Sequence, residues 1–339
     1  GGFKLEGHEF IRELFFTLSK VKGRSPFLGV SQESPSEAGS LTVEGELESC
    51  DPLLKFSYLD SSAKTVSVRG ANVYIASLYG NMEGKHFTIP AQAEFPFVAI
   101  KGSEDVVKEI KSSPISNLVR TENVNGVPYD ENYKDDNILD ELRISLENYF
   151  INRAGITIVD GPVYPGPYLP LVGEPYASAF ERLIKERKKD SLIGIVKRLN
   201  YSRKLMRVDG LWKLGGNPTD DVVVMELGKG RTSYITPVFR EELPLSDSKL
   251  ERFMVYVKVR DSVFRVESQD RGLLCRGVST ALRDVSYRGI PTFIEVADRL
   301  ARKLSASAFI LSFSYAKSLI GVTYDDWNTF TLANLEVSN

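Results

Sequence analysis

The 339-residue sequence has few of the residues that many enzyme sites require. Its only histidines are His8 and His86, so histidine-rich zinc sites and most serine or cysteine triads lack their parts. Its only cysteines, Cys50 and Cys275, are far apart and lie in no paired motif. We therefore expect unpaired thiols in a reducing compartment, no disulfide framework and a cytoplasmic location.

Long apolar runs and a surplus of one charge are also missing. No apolar run reaches the ~18 residues of a membrane-spanning helix, so we expect no membrane association. Forty-three basic and 45 acidic residues give a net charge of −2, which argues against coating of nucleic acid by bulk positive charge. Any contact with DNA has to be local, and any chemistry has to rest on carboxylates.

The sequence is typical of an α/β protein with a sizeable core, since 42% of it is hydrophobic and 26% is charged. Residues 1–50 predict an amphipathic helix over 5–20, a linker over 31–40 and an edge strand over 41–49. Residues 51–339 predict one elaborated domain. Its expected strands lie at 53–59, 66–68, 73–78, 87–100, 156–160, 192–196, 221–227, 233–238, 253–260 and 262–267, and its helices near 138–150, 176–189, 291–304 and 313–320.

Two of these strands are expected to end in an acid. Asp60 follows the apolar run 53–59, and Asp160 follows Ile156-Thr157-Ile158-Val159. An acid at the end of a buried strand is costly to desolvate unless a cation meets it, and two such acids invite a shared ion. Glu147, on the preceding helix, is a third candidate, with Glu141 as its alternative. Three carboxylates suit Mg²⁺ or Mn²⁺, although from spacing alone each acid is more typical of a turn or a cap.

Basic residues are concentrated between 181 and 207, where ten Lys or Arg stand against three acids. The segment suggests contacts to DNA phosphates, or a solvated face for its helical part. Lys197 is the stronger candidate because it directly follows a buried strand. Arg265 and Glu267 share one face of a later strand, where they pair with each other or with neighbours. The candidate DNA-binding residues are Lys197, Arg198, Arg203, Lys204 and Arg265.

From about residue 54 to 304, the order of these motifs resembles the NurA family of archaeal and bacterial nucleases, which have an RNase H-like core. Leu59-Asp60-Ser61-Ser62 is similar to the end of the family's first strand. Leu146-Glu147 and Asp160-Gly161-Pro162-Val163 are similar to the helix and strand that follow. Three later parts of the sequence are also similar to motifs of the family. They are Ile195-Val196-Lys197-Arg198, the strand pair that contains Tyr256-Val257-Lys258 and Phe264-Arg265-Val266-Glu267, and the closing motif from Gly289-Ile290-Pro291 to Ala297-Asp298.

The resemblance implies an RNase H-like mixed sheet with flanking helices and inserted β hairpins. It also implies a manganese-dependent nuclease with 5′ to 3′ exonuclease and endonuclease action on single- and double-stranded DNA. Such nucleases work as homodimers docked on the hexameric translocase HerA and resect DNA ends for repair. By analogy, Asp60, Glu147 and Asp160 are the metal ligands, and Lys197 is a further catalytic residue.

The closing motif departs from the family at two positions. Ile290 stands where the family has tyrosine, and Asp298 stands where it has histidine. Asp298 can replace the histidine as a metal ligand or base, because a carboxylate takes either role. The alternative is a catalytically degenerate paralogue that binds DNA or the translocase as an adaptor. A third hypothesis, a glycosidase with two carboxylates, lacks a tryptophan-rich cleft, since Trp212 and Trp327 are the only tryptophans.

Overall fold

The computed structural model describes residues 41–304 apart from 69–70, 90–94, 113–115, 167–168, 209–216, 284 and 286–288, together with Phe10 and Leu14. It divides the chain into two units, each built from three separate stretches. The first unit comprises Gly1–Lys55, Ile158–Val172 and Lys189–Thr292, and the second comprises Phe56–Thr157, Gly173–Lys188 and Phe293–Asn339. The linker expected over 31–40 and the helix expected over 313–320 lie outside the described residues. The predicted boundary at residue 50 stays a prediction.

The second unit is built on a long antiparallel hairpin of β2 (Ser57–Val68) and β3 (Ala71–Met82). Antiparallel strands β4 (Lys85–Ile89) and β5 (Val98–Gly102) both pair with β3. A short strand, β6 (Val119–Arg120), pairs with β5 in parallel, so the sheet is mixed. The helices of this unit are α1 (Glu104–Lys111), α2 (Asp135–Ile151), α3 (Tyr176–Glu186) and α6 (292–304).

Different helices cover the two faces of the β2–β3 hairpin. A Cβ atom on Gly80 would lie 2.3 Å from Cε2 of Phe150, so α2 packs on the face that contains Gly80. On the other face, Ser77 Oγ donates a hydrogen bond of 2.9 Å to the carbonyl of Ala301 in α6. Side chains alternate between faces along a strand, so the residues of β2 are divided between the two helices. With both faces covered, β3 is buried from Val73 to Gly80.

The first unit contains the strands β1 (Leu41–Val43), β7 (Thr157–Asp160), β8 (Leu192–Val196), β9 (Ser233–Ile235), β10 (Phe239–Pro244), β11 (Lys249–Val259) and β12 (Ser262–Ser268). Their order is β1-β10-β11-β12-β8-β7, with β9 paired to β11. Each pairing from β1 through to β8 is antiparallel. Phe10 and Leu14, in the predicted opening helix, are helical and wholly buried in this unit's core. The helices of this unit are α4 (Asp220–Leu227) and α5 (Arg271–Arg283).

The predicted α/β class, with a mixed sheet and flanking helices, is confirmed. The strand predicted at 221–227 is wrong, because these residues belong to helix α4. Asp220 and Asp221 lie in its first turn, where acids stabilise a helix, and Gly228 caps its end. These signals outweigh the β-branched run Val222-Val223-Val224 that suggested a strand. Strand β10 and helix α5 were not predicted.

The prediction that a strand ends at Asp60 is also wrong. Strand β2 continues through Asp60 to Val68, and its backbone stays paired with β3 over that whole length. Ser61 and Ser62 are small enough to continue the strand under close-packed helices, although such residues are also common in turns. Asp60 is therefore held within a rigid strand rather than at its flexible end.

Cys50 and Cys275 form a disulfide with a Cα–Cα distance of 5.8 Å, so the expectation of two unpaired thiols is wrong. The two residues are 225 positions apart in sequence, which hid their proximity. Helix α5 carries Cys275 and lies beside the segment that precedes β2. Ser279 Oγ donates to the carbonyl of Cys50 at 2.7 Å, and the amide of Leu53 donates to Thr280 Oγ1 at 2.8 Å.

None of the helices within the described residues is long and apolar enough to cross a membrane.

Candidate metal centre

In the second unit, Asp60 and Asp298 face each other from β2 and α6. Each offers one carboxylate oxygen, and these oxygens lie within 4.8 Å of each other. Asp60 is opposite Tyr79 in the β2–β3 register, and Ala297 packs on Tyr79 from α6. The helix thus sets Asp298, the next residue, beside Asp60. The position that departs from the family pattern is therefore part of the acidic pair.

The chemistry of this pair fits a divalent ion. Asp60 is only 6% exposed, and two carboxylates this close repel each other unless a cation or a proton reduces their charge. Oxygen ligands are the ones that Mg²⁺ and related hard ions prefer. The amide of Ser61 donates to Asp60 Oδ1 at 2.8 Å, and Arg302 Nη2 lies 2.8 Å from Asp298 Oδ2. These contacts orient the two carboxylates, and the pair could hold a metal ion.

Glu147 lies on the opposite face of β2 from this pair. It projects from α2, and Ser61, the neighbour of Asp60, donates a hydrogen bond from its hydroxyl to Glu147 Oε2. Arg187 Nη2 lies 2.9 Å from Oε1, and Arg143 Nη1 lies 3.5 Å from Oε2. Within the described residues, Glu147 is not among the acids grouped closely enough to share an ion. Both of its oxygens instead contact cations or a hydroxyl of the protein.

The electrostatics of Glu147 follow from these contacts. Burial alone would raise its pKa, but Arg187 and then Arg143 outweigh burial and hold the pKa below its ordinary value. Asn148 Oδ1 accepts a hydrogen bond of 2.7 Å from Arg187 Nε, which fixes the guanidinium. The sequence prediction missed both arginines. Arg143 had a visible signal, because it lies one helical turn before Glu147, whereas Arg187 is 40 residues away and had none.

Glu141, the alternative third ligand, is fully buried elsewhere on α2. Tyr133 donates a hydrogen bond of 2.7 Å from its hydroxyl to Glu141 Oε1. Its other oxygen, Oε2, has no hydrogen-bond partner among the described residues. Burial raises the pKa of Glu141 to about 7, against the smaller opposing effects of Tyr133 and Arg120. Glu141 is absent from the acidic group that contains Asp60 and Asp298.

In the first unit, Asp160 ends strand β7 and forms an ion pair with Lys197, whose Nζ lies 2.7 Å from Asp160 Oδ2. The amide of Gly161 donates to the carbonyl of Ile195 at 2.9 Å, which holds this turn against the end of β8. The turn at Gly161 lies so close to β8 that position 194 has to be glycine, since a Cβ atom there would lie 2.5 Å from the carbonyl oxygen of Gly161. The structure thus brings Asp160 and Lys197 together at the ends of β7 and β8.

The remaining candidate DNA-binding residues also lie in the first unit. Arg198 is exposed, and Arg203 Nε donates to the carbonyl of Asn217 at 3.0 Å. Lys204 and Arg265 belong instead to a buried ion network. Lys204 Nζ lies 2.8 Å from Glu241 Oε2, and Arg265 Nε lies 2.9 Å from Glu267 Oε2. The charges of these two side chains are already matched by acids inside the protein.

The network continues across β10, β11 and β12. Arg252 bridges two wholly buried acids, with Nε 2.8 Å from Glu241 Oε1 and Nη1 3.0 Å from Glu267 Oε1. The amide of Val163 donates to Glu267 at 2.7 Å, which ties the segment after Asp160 to the network. Burial would raise the pKa of Glu267, but Arg252 and Arg265 outweigh it and lower that pKa. The sequence pattern indicated only the Arg265–Glu267 pair, because β10, which carries Glu241, was not predicted.

One family model and several solved structures match this chain. The model of the NurA domain family matches residues 59–303. Among solved structures, the chain is similar to the NurA nuclease from Sulfolobus solfataricus, with 14% identity over 91% of this chain and 95% of that chain, and a TM-score of 0.45. It is also similar to a NurA bound to dAMP and manganese, with 10% identity over 85% and 90% of the two chains and a TM-score of 0.33. The search of curated proteins found no match.

The family match begins at Leu59, directly before Asp60, and ends after the Asp298 turn of α6. It therefore includes both members of the acidic pair as well as Glu147, Asp160 and Lys197, and it covers well over half of the chain. The chain belongs to the NurA family.

Proposed function

We propose that this protein is a metal-dependent DNA nuclease whose ion, Mn²⁺ or Mg²⁺, is held by Asp60, Asp160 and Asp298. The single observation that carries the proposal is the closeness of the Asp60 and Asp298 carboxylates on one face of β2. Asp160 joins the proposed set because it offers a carboxylate oxygen at the end of β7. Asp298 thereby takes the ligand role that the sequence analysis gave to Glu147.

The protein's own side chains have distinct proposed roles. A bound divalent ion would supply Lewis acidity at the phosphodiester and would favour deprotonation of the attacking water. Lys197 holds Asp160 through its 2.7 Å contact and is placed to balance negative charge that develops on the phosphate. Glu147, fixed between Arg187 and Arg143, supports β2 through Ser61. It is thus proposed as a positioning residue rather than a ligand.

The proposed substrate is DNA, cut by 5′ to 3′ exonuclease and endonuclease action during end resection. The exposed Arg198 and the partly exposed Lys197 and Arg203 are proposed to contact the phosphate backbone. Lys204 and Arg265 are proposed to stabilise the adjoining loop through their buried acid partners. Homodimer formation and docking on a HerA-type hexameric translocase belong to the same proposal and rest on family membership alone.

The test combines cleavage with metal binding. End-labelled single- and double-stranded DNA is incubated with the protein and Mn²⁺, and Mn²⁺ affinity is measured by electron paramagnetic resonance. We expect Asp60→Ala to abolish cleavage and to weaken Mn²⁺ binding by at least roughly 10–100-fold. Asp105→Asn, an exposed acid on α1, is the matched control and should change neither. Equal degradation by the wild type and Asp60→Ala would contradict the proposal.

A second candidate function is a non-catalytic adaptor that binds DNA or the translocase. The observation that favours it is the engagement of Glu147 by two arginines and a serine, which removes a carboxylate from the predicted ligand set. An adaptor would bind DNA and the hexamer without degrading DNA at any Mn²⁺ concentration. Metal-dependent cleavage that Asp160→Asn abolishes would exclude it.

A further inference from the structure

Lys64, on β2, and Arg302, on α6, lie on the same side of the β2–β3 hairpin, beyond the acidic pair. Side chains alternate along a strand, so Lys64 lies on the same face of β2 as Asp60, about 13 Å further along at ~3.3 Å per residue. Between them lies Ser62, directly opposite Ser77 in the register. Ser77 bonds to the carbonyl of Ala301 in α6, the residue before Arg302. The helix thus sets Arg302 over the part of β2 that carries Lys64.

The two cations are electrostatically coupled. Burial lowers the pKa of Lys64, and the charge of Arg302 lowers it further, as expected when two positive groups are close. Arg302 Nη2 contacts Asp298 Oδ2 at 2.8 Å, while the Arg302 side chain keeps 47% of its surface exposed. The exposed part of the Arg302 side chain can therefore contact an anion while the arginine still pairs with Asp298.

We propose that Lys64 and Arg302 form a subsite for a backbone phosphate of the DNA strand that enters the metal centre. This inference rests on the proposed function and names the part of the substrate that this surface binds. Arginine presents a planar fork that matches phosphate oxygens, and lysine adds a point charge. The subsite lies along β2 from Asp60, so it holds a phosphate at least one nucleotide from the scissile bond.

Contacts of this kind are independent of base sequence and depend on salt. Each lysine or arginine that neutralises a phosphate of single-stranded DNA contributes about 0.7 to the slope of log affinity against log salt concentration. Removal of a true contact therefore reduces that slope, whereas loss of a merely structural cation leaves it unchanged. This difference separates a phosphate subsite from an internal ion pair between Arg302 and Asp298.

The experiment measures the binding of a fluorescein-labelled single-stranded oligonucleotide by anisotropy in EDTA over a series of KCl concentrations. We expect Lys64→Gln and Arg302→Gln each to weaken binding about three- to tenfold at low salt and to reduce the slope by about 0.7. Lys64→Arg keeps the charge and should bind like the wild type. Lys108→Gln, an exposed lysine on α1, is the matched control and should bind like the wild type.

Affinities and slopes of Lys64→Gln and Arg302→Gln that equal those of Lys108→Gln would overturn the subsite. Weakened binding by a glutamine variant that also melts early in circular dichroism is resolved by Lys64→Arg and Arg302→Lys, which keep the charge. Wild-type binding by these two variants supports the subsite, and weakened binding by them overturns it. The binding assay needs no cleavage, so its failure is distinguishable from failure of the proposed nuclease. If the wild type cuts DNA and both glutamine variants bind DNA normally, only the proposed subsite is contradicted. If the wild type never cuts DNA and both variants bind DNA more weakly, only the proposed nuclease activity is contradicted.

Discussion

Arg187 and Glu147 form a buried ion pair in the second unit, with Nη2 2.9 Å from Oε1 and side-chain exposures of 0% and 3%. Arg187 follows the end of α3, and Glu147 lies in the middle of α2. The pair therefore ties α2 to the segment that directly follows α3. It also holds a carboxylate that sequence analysis assigned to a metal ion.

Removal of one partner of this pair is expected to destabilise the protein strongly. Arg187→Met leaves the charge of Glu147 buried with the Ser61 hydroxyl and the longer contact to Arg143, and loss of one partner of a buried pair costs about 3–5 kcal/mol. Urea denaturation followed by circular dichroism measures the effect. Arg182→Met, at an exposed site on α3, is the control and should cost about 0.5 kcal/mol or less. If both variants unfold at the same urea concentration, the pair does not stabilise the fold.

Metal binding should distinguish Asp298 from Glu147. Asp298→Asn removes a proposed ligand charge and is expected to weaken Mn²⁺ binding by at least roughly 10–100-fold. Glu147→Gln keeps the shape of the side chain and its contact with Ser61, so it should change Mn²⁺ affinity by less than about threefold. Isothermal titration calorimetry with MnCl₂ compares the two. A larger loss in Glu147→Gln would restore the ligand set predicted from sequence.

The buried carboxyl of Glu141 predicts a dependence of stability on pH. Its folded pKa is about 7, above its ordinary value of 4.5, because burial favours the neutral acid. This group contributes stability that is fully present below pH 4.5, falls as pH rises towards 7 and is lost above that. The loss is about 3 kcal/mol at most, at 1.36 kcal/mol per pKa unit.

Comparison of Glu141→Gln with the wild type tests this sign. The variant keeps a neutral group at the site, so the difference in unfolding free energy between the two proteins should move in favour of the variant as pH rises from 5 to 8. Glu147→Gln is the control: the pKa of Glu147 lies below its ordinary value of 4.5, so its carboxylate is ionised in both folded and unfolded protein over this range and its difference from the wild type should stay nearly constant. A constant difference across this pH range would contradict a titrating Glu141.

The disulfide predicts a stability that depends on reducing agent. Closing a loop of 225 positions restricts the unfolded chain, and the chain-entropy estimate for so long a loop is about 5 kcal/mol. The double variant Cys50→Ala with Cys275→Ala should lose most of that stability and should no longer respond to dithiothreitol. Thiol titration of the denatured, unreduced wild type should find no free thiol. Two titratable thiols would show that the bond does not form in solution.

Sequence patterns predicted those parts of the site that depend on local signals. Asp160 was placed correctly at a strand end because a Gly-Pro turn follows an apolar run, and Lys197 because it follows another. Asp60 was identified as a buried acid, but its strand was ended too early. Its partner Asp298 could be named only through the family's closing motif, since a contact between β2 and α6 spans more than 200 residues of sequence.

The prediction for Glu147 illustrates what local pattern cannot supply. Residues 60 and 61 alternate across β2, and the helix that carries Glu147 covers the face of Ser61. That assignment requires knowledge of which helix packs on which face, and it follows from contacts such as Gly80 with Phe150. The buried network around Glu241 was missed for a similar reason, because β10 has no clear alternation and its partners come from other strands.

The interleaving of the chain has a consequence for synthesis. Each unit collects stretches that are separated by insertions, and the first cannot assemble its central strands until residues 249–268 have left the ribosome. The hairpin of β2 and β3, by contrast, joins neighbours in sequence and can form early. A nascent chain would therefore carry the Asp60 strand as a preformed hairpin while β8, which carries Lys197 at its end, still waits for its antiparallel neighbour β12.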